Sequence, residues 1–246
     1  MNYRRVLIPA ICIFLAATMV VSGCGNPAQA YVFQGNLHSK QGQFDEAISD
    51  YNKAIELDPA YAAAYNNRGN AYNYKGEYDN AIADCNKAIE LDPAYVAAYN
   101  NRGIAYDTKG EYDKAIADYD KALELDPNHT ITYINRGTAY GAKGDYDKAI
   151  ADFNKALELN PNHTGIYNNR GHAYDLKGEY DKAIADCDKA IELDPEFAKA
   201  YYKRGRAYLS KGEYDKAASD FEKVVQIATD PKLVEDARQA LKDMGK

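Results

Sequence analysis

Six glycines, Gly42, Gly76, Gly110, Gly144, Gly178 and Gly212, recur at a fixed interval of 34 residues, and the text between them repeats in phase. A period of this length marks a unit too small to bury its own apolar face, so neighbouring units must stack to make a continuous core. In the second unit Tyr65, Gly69 and Tyr72 stand at helical spacing, and Gly76 supplies the backbone freedom to end that helix. Tyr78, Ala81, Ile82, Cys85, Ala88, Ile89 and Leu91 follow at steps of three and four, the apolar stripe of a second helix that Asp92-Pro93 breaks. The pattern predicts an all-α array of helical hairpins. After Pro231, KLVEDARQALKDMGK places Leu233, Ala237, Leu241 and Met244 on one face, which predicts a helix capping the exposed end.

Aligned on the glycines, the fourth place of each unit is Tyr31, Tyr65, Tyr99, Tyr133, Tyr167 and Tyr201, and the eighth is Gly35, Gly69, Gly103, Gly137, Gly171 and Gly205. The eleventh holds Tyr72, Tyr106, Tyr140, Tyr174 and Tyr208, with His38 in the first unit, and the twentieth is alanine throughout, from Ala47 to Ala217. Prolines close the units at 59, 93, 127, 161 and 195, then two residues late at Pro231. This series resembles the tetratricopeptide repeat (TPR) in six copies, 28–61, 62–95, 96–129, 130–163, 164–197 and 198–231, with the cap at 232–246. The resemblance implies a right-handed solenoid of six hairpins plus a C-terminal capping helix, with a concave surface that binds protein segments.

Two departures from the family pattern are informative. The family has leucine at the seventh place, where this chain has Gln34, then Arg68, Arg102, Arg136, Arg170 and Arg204. A charge packed against the partner helix needs a counter-group. Every unit carries one three residues after the core alanine: Asp50, Asp84, Asp118, Asp152, Asp186 and Asp220. An internal arginine-aspartate ladder is therefore predicted. The resemblance also puts places two, five, six, nine, twelve and thirteen of the first helix on the concave surface. Those places carry Asn66, Asn67, Asn70, Asn100, Asn101, Asn135, Asn168 and Asn169, whose amides can either bond the main chain of an extended peptide or satisfy neighbouring helices. Lys199 and Lys203 form a basic end. With Asn169 they match the later half of the family's carboxylate clamp, while Ile134 and Thr138 depart from its earlier half.

The amino terminus is of another kind. Arg4 and Arg5 precede a mainly apolar run from Val6 to Val21 and then small residues, the order of a signal peptide over 1–23. The run is interrupted by Pro9 and falls short of the roughly 20 apolar residues of a spanning helix. Val21-Ser22-Gly23-Cys24 resembles the lipobox of bacterial lipoproteins, which implies cleavage before Cys24 and its lipidation. A signal peptide cut elsewhere is the alternative. Residues 24–27 would form a short tether, and the mature chain would be an exported membrane lipoprotein facing the periplasm or the cell exterior.

Removing the signal takes away Arg4 and Arg5 and no acid, moving the net charge from −7 to −9, which argues against a nucleic-acid partner. Cys85 and Cys187 lie at equivalent second-helix places three units apart, too far for a disulfide, and read as core thiols. His129 and His163 occupy the same inter-unit turn, and His172 points toward the concave surface. No spacing matches a metal site, a catalytic constellation or a cofactor motif. Asp118-Tyr119-Asp120 and Asp186-Cys187-Asp188 lack the glycine of a calcium loop. Repetition at packing places accounts for most of the 23 tyrosines, leaving Tyr74 and Tyr202 as surface candidates. The expectation is a non-enzymatic scaffold that binds a protein or peptide, with binding of a glycan or peptidoglycan fragment as the alternative.

Overall fold

A computed structural model describes residues 26–245, within which the chain forms thirteen α-helices and no strand. It divides into two compact units, one ending at Pro127 and the other beginning at Asn128. The first unit holds three hairpins: α1 (Pro27–Lys40) with α2 (Phe44–Leu57), α3 (Ala62–Lys75) with α4 (Tyr78–Leu91), and α5 (Val96–Thr108) with α6 (Tyr112–Leu125). The second holds α7 (Thr130–Lys143) with α8 (Tyr146–Leu159), α9 (Thr164–Leu176) with α10 (Tyr180–Leu193), α11 (Ala198–Ser210) with α12 (Tyr214–Ile227), and then α13 (Pro231–Asp243). The all-α repeat architecture is the one the 34-residue period predicts. The signal segment and Cys24 lie outside the described residues. Among the described residues no helix is long and apolar enough to cross a membrane.

Each hairpin turns on the periodic glycine. Gly76 has φ 78°, its N–H donates to Asn73 O, and the next N–H, of Glu77, reaches back to Tyr72 O at 2.9 Å, so carbonyls left open by the helix end are satisfied. The glycine at the eighth place serves a second purpose. A Cβ added at Gly35 would stand 2.5 Å from the Tyr51 ring, so only glycine lets α1 and α2 close to their observed separation.

The core is built from small residues under a few large ones. In the first unit Tyr51, Ala54, Ala64 and Ala71 bury together; in the second, Phe153, Ala156, Ile166 and Ala173 do so. Cys85 and Cys187 are buried, unpaired thiols, and burial foremost pushes both up to about 12, so neither is a nucleophile at neutral pH. At the carboxyl end α13 lays Ala237, Leu233 and Leu241 over Phe221 and Val224, and each large side chain so covered contributes about 1.5–3 kcal/mol. Pro231 belongs to the first turn of this helix, where its missing N–H costs nothing, and not to the end of the sixth hairpin. Asp230 caps it by accepting from Lys232 N at 3.0 Å.

Candidate partner-binding face

The seventh-place arginines do not line a groove. Arg68 Nε and Nη2 donate to the two carboxylate oxygens of Asp84 at 2.7 and 2.6 Å, while Nη1 donates to Asn52 Oδ1 of the preceding hairpin. The guanidinium carbon also stands 5.5 Å from the centre of the Tyr65 ring. Arg102 repeats this with Asp118, Asn86 and Tyr99; Arg170 with Asp186, Asn154 and Tyr167; and Arg204 with Asp220, Asp188 and Tyr201. Arg136 pairs with Asp152 through Nε at 2.8 Å and Nη2 at 2.7 Å. The forks of Arg68, Arg102, Arg170 and Arg204 therefore hold their own second helix while the third nitrogen reaches the hairpin before it. The bidentate carboxylate raises Arg68, Arg102 and Arg170 above the ordinary arginine value. The first hairpin lacks the arginine, and there His38 Nδ1 stands 2.8 Å from Asp50 Oδ2.

The third partner, Asn52, Asn86, Asn154 or Asp188, is absent from the sequence reading. Its signal was available: two residues after each ladder aspartate the chain places Asn, Asn, Asp, Asn, Asp and Glu, an unbroken row of side-chain acceptors. An outer row of ion pairs runs parallel to it. Lys75 bonds Asp45 of the preceding hairpin and its own Glu77, and Lys177 and Lys211 repeat the arrangement with Asp147 and Glu179 and with Asp181 and Glu213. Being exposed, each such pair contributes little.

The amide face needs correction. Asn66, Asn100 and Asn168 at the fifth place are buried, and Asn66 meets α5 instead of solvent. Asn66 accepts from Asn101 Nδ2 at 2.9 Å and donates to Asn67 Oδ1 at 3.0 Å; Asn67 in turn donates to Asn36 Oδ1, which also accepts from Tyr51 OH. These side chains form an internal chain of hydrogen bonds across three hairpins. Asn67, Asn70, Asn101, Asn135 and Asn169 remain partly exposed. Tyr74 is 67% exposed and stacks on Phe44 with centroids 5.0 Å apart, whereas Tyr202 is half-buried against Phe221 and is not a free surface ring.

What the second unit leaves open is its basic end. Lys203 on α11 is half-buried, yet it makes no hydrogen bond or ion pair among the described residues, and neither do Lys199 and Arg206 on the same helix. Burial first, and then the charges of Lys199 and Arg206, push Lys203 down to about 8. Across from it on α9, burial followed by the charges of Lys203 and Arg206 pushes His172 down to about 4, so the imidazole is neutral at pH 7. Asp175, one helical turn on, is raised by burial although the same two cations oppose that rise. Arg206 and Asp175 were not singled out from the sequence, since nothing in the repeat distinguishes them before α9 and α11 are placed side by side. The arrangement presents three unpaired cations against one carboxylate, which suits it to an anionic group. Among the described residues no group of three histidine, cysteine or acidic side chains is placed to hold a metal.

The TPR family pattern "Tetratricopeptide repeat" matches residues 62–95, 96–129, 131–163 and 166–197, and related TPR patterns match 35–73 and 187–218. Among curated proteins nothing matches the chain. Solved structures similar to it include YrrB, described as a TPR protein with an unusual peptide-binding site: 29% identity over 77% of this chain and 97% of that one, TM-score 0.60. MamA is 32% identical over 67% of this chain and 90% of its own, with TM-score 0.60. PilF of Pseudomonas aeruginosa, at 20% identity over 86% and 96% with TM-score 0.73, shares the fold. With matches to more than half of its length in consecutive 34-residue hairpins, the chain belongs to the tetratricopeptide repeat family.

Proposed function

We propose that the chain is an interaction scaffold held at a bacterial envelope membrane through lipidated Cys24, and that α9 and α11 take an acidic segment of a protein partner. The family acts in protein interaction, and the peptide-binding site attributed to YrrB supports a peptide ligand for a relative of this similarity. The observation that carries the reading is Lys203: a half-buried ammonium with no partner, beside Lys199 and Arg206. Asp175 is one carboxylate against these three cations, and a bound carboxylate would offset the cost of the excess charge. Asn66 is buried, donates to Asn67 and accepts from Asn101, so that amide is not available to a glycan. Membrane attachment rests on the order of residues 1–24 alone.

The pH dependence tests this. An anion bound at Lys203 raises the pKa of that lysine, so above about 8 binding must also draw a proton onto it, and affinity falls as pH rises through that value. For the full chain in detergent titrated with a labelled peptide of four aspartates, affinity should drop about 10-fold per pH unit once Lys203 is neutral. Lys203→Arg should flatten the profile up to pH 10, and Lys203→Glu should remove binding. A wild-type profile flat from pH 7 to 10 would contradict the assignment.

A further inference from the structure

The sixth hairpin and the capping helix do not close on each other completely. A cavity of about 580 Å³ opens between α11, α12 and α13, walled by Leu209, Tyr214, Phe221, Ala240 and Met244, with Arg206 at its edge. That volume lies within the range of ligand sites, about 300–1,000 Å³. Its cause is visible in the repeat. The aromatic residue that opens each second helix is half-buried at Phe44, Tyr78, Tyr112, Tyr146 and Tyr180, but Tyr214 is 58% exposed, because α13 is a shorter substitute for a hairpin and leaves that end of α12 uncovered.

We propose that this cavity is the apolar half of a two-part peptide site, in which a carboxylate on Lys203 and Arg206 sets an adjoining large apolar side chain between Leu209, Tyr214 and Met244, over the buried Phe221. The inference rests on the reading of α9 and α11 as the partner-binding face and names a second element of the ligand. Arg206 joins the halves: it borders the cavity and is also felt by His172 and Asp175 on the other side. Its guanidinium makes no hydrogen bond or ion pair among the described residues, so its donors are open to a ligand. The other charge at the rim, Asp243, accepts from Gln239 Nε2 one turn back on its own helix at 2.6 Å. Aromatic walls and an adaptable methionine suit a bulky apolar group of no fixed shape, while the cations demand an acid beside it.

The chain's methionines are Met1, Met19 and Met244, so a methyl label places a single reporter within the repeats and cap, on the cavity wall. The test uses the full chain in detergent, labelled at the methionine methyls, with two peptides: four aspartates ending in Phe, and the same ending in Gly. The Phe peptide should bind roughly 10-fold more tightly or better, as expected for burying one aromatic side chain, and should shift the Met244 methyl to saturation; the Gly peptide should leave that methyl in place. Met244→Glu, at the half-buried end of the last helix, should cancel the difference between the peptides without weakening the Gly peptide, and Arg206→Glu should weaken both. Equal affinities with an unmoved Met244 methyl would overturn the cavity while leaving the basic site standing. Binding of the Phe peptide that survives Arg206→Glu would overturn the joining of the halves. Failure of both peptides to bind wild-type protein would overturn this inference together with the reading beneath it.

Discussion

Arg102→Leu, which installs the leucine that the family pattern has at this place, should destabilise the third hairpin by about 3–5 kcal/mol, the range for breaking a buried ion pair on one side. The reason is Asp118. It is 6% exposed and receives two of its hydrogen bonds from Arg102, at 2.8 and 2.6 Å, so losing the guanidinium strands a buried carboxylate. Replacing Asp118 as well, in Arg102→Leu with Asp118→Leu, should recover most of the loss, because an apolar pair of similar volume carries no uncompensated charge. Stability in a repeat array is local, so the measurement is amide exchange in α5 and α6. The single variant should exchange at least 100-fold faster there, about 3 kcal/mol of local opening, and the double variant much more slowly than the single. Additive effects of the two substitutions would show that the fork contributes no coupling.

Cys24→Ser should release the array from membranes or leave it as an uncleaved precursor. Each buried methylene contributes about 0.8 kcal/mol, and one acyl chain alone gives marginal attachment, whereas the diacylglyceryl and amide-linked chains implied by the lipobox resemblance supply three. The wild type should therefore stay with membranes through high-salt and carbonate washes, and intact-mass measurement should find the lipid on residue 24. Only Gly25 and Asn26 separate that residue from the start of α1 at Pro27, so the first hairpin would lie at the membrane surface. An unlipidated wild-type chain retained equally well as Cys24→Ser would overturn the anchor.

The hairpins were legible in the sequence because their determinants are local and repeated: a glycine with positive φ to stop each first helix, an alanine stripe, a proline to end the second. The arginine-aspartate ladder was legible for a related reason, since a charge at a packing place has to be answered by a periodic acid, but whether Arg136 takes Asp152 of its own hairpin or Asp118 of the one before is settled only by the fold. The buried amides were not. Place five lies at the seam between successive first helices, and whether Asn66 faces solvent or Asn101 depends on how one hairpin leans on the next, which a 34-residue pattern does not encode. The openness of the basic end was likewise hidden. Lys189 finds Glu192 three residues on and Lys177 finds Asp147 one repeat back, and only packing reveals that Lys203 finds neither kind of partner.

If partners dock on the first-helix face of the last two hairpins, site-specific photocrosslinking in living cells should trap them there. A benzophenone side chain at Lys199, which is exposed on α11, should capture a discrete partner adduct, and Lys203→Glu in the same chain should abolish that adduct. The same probe at Lys189 on the second helix α10 should capture none. Adducts at Lys189 that persist in the Lys203→Glu background, with none at Lys199, would place the partner on the second helices and rule out docking at the basic end.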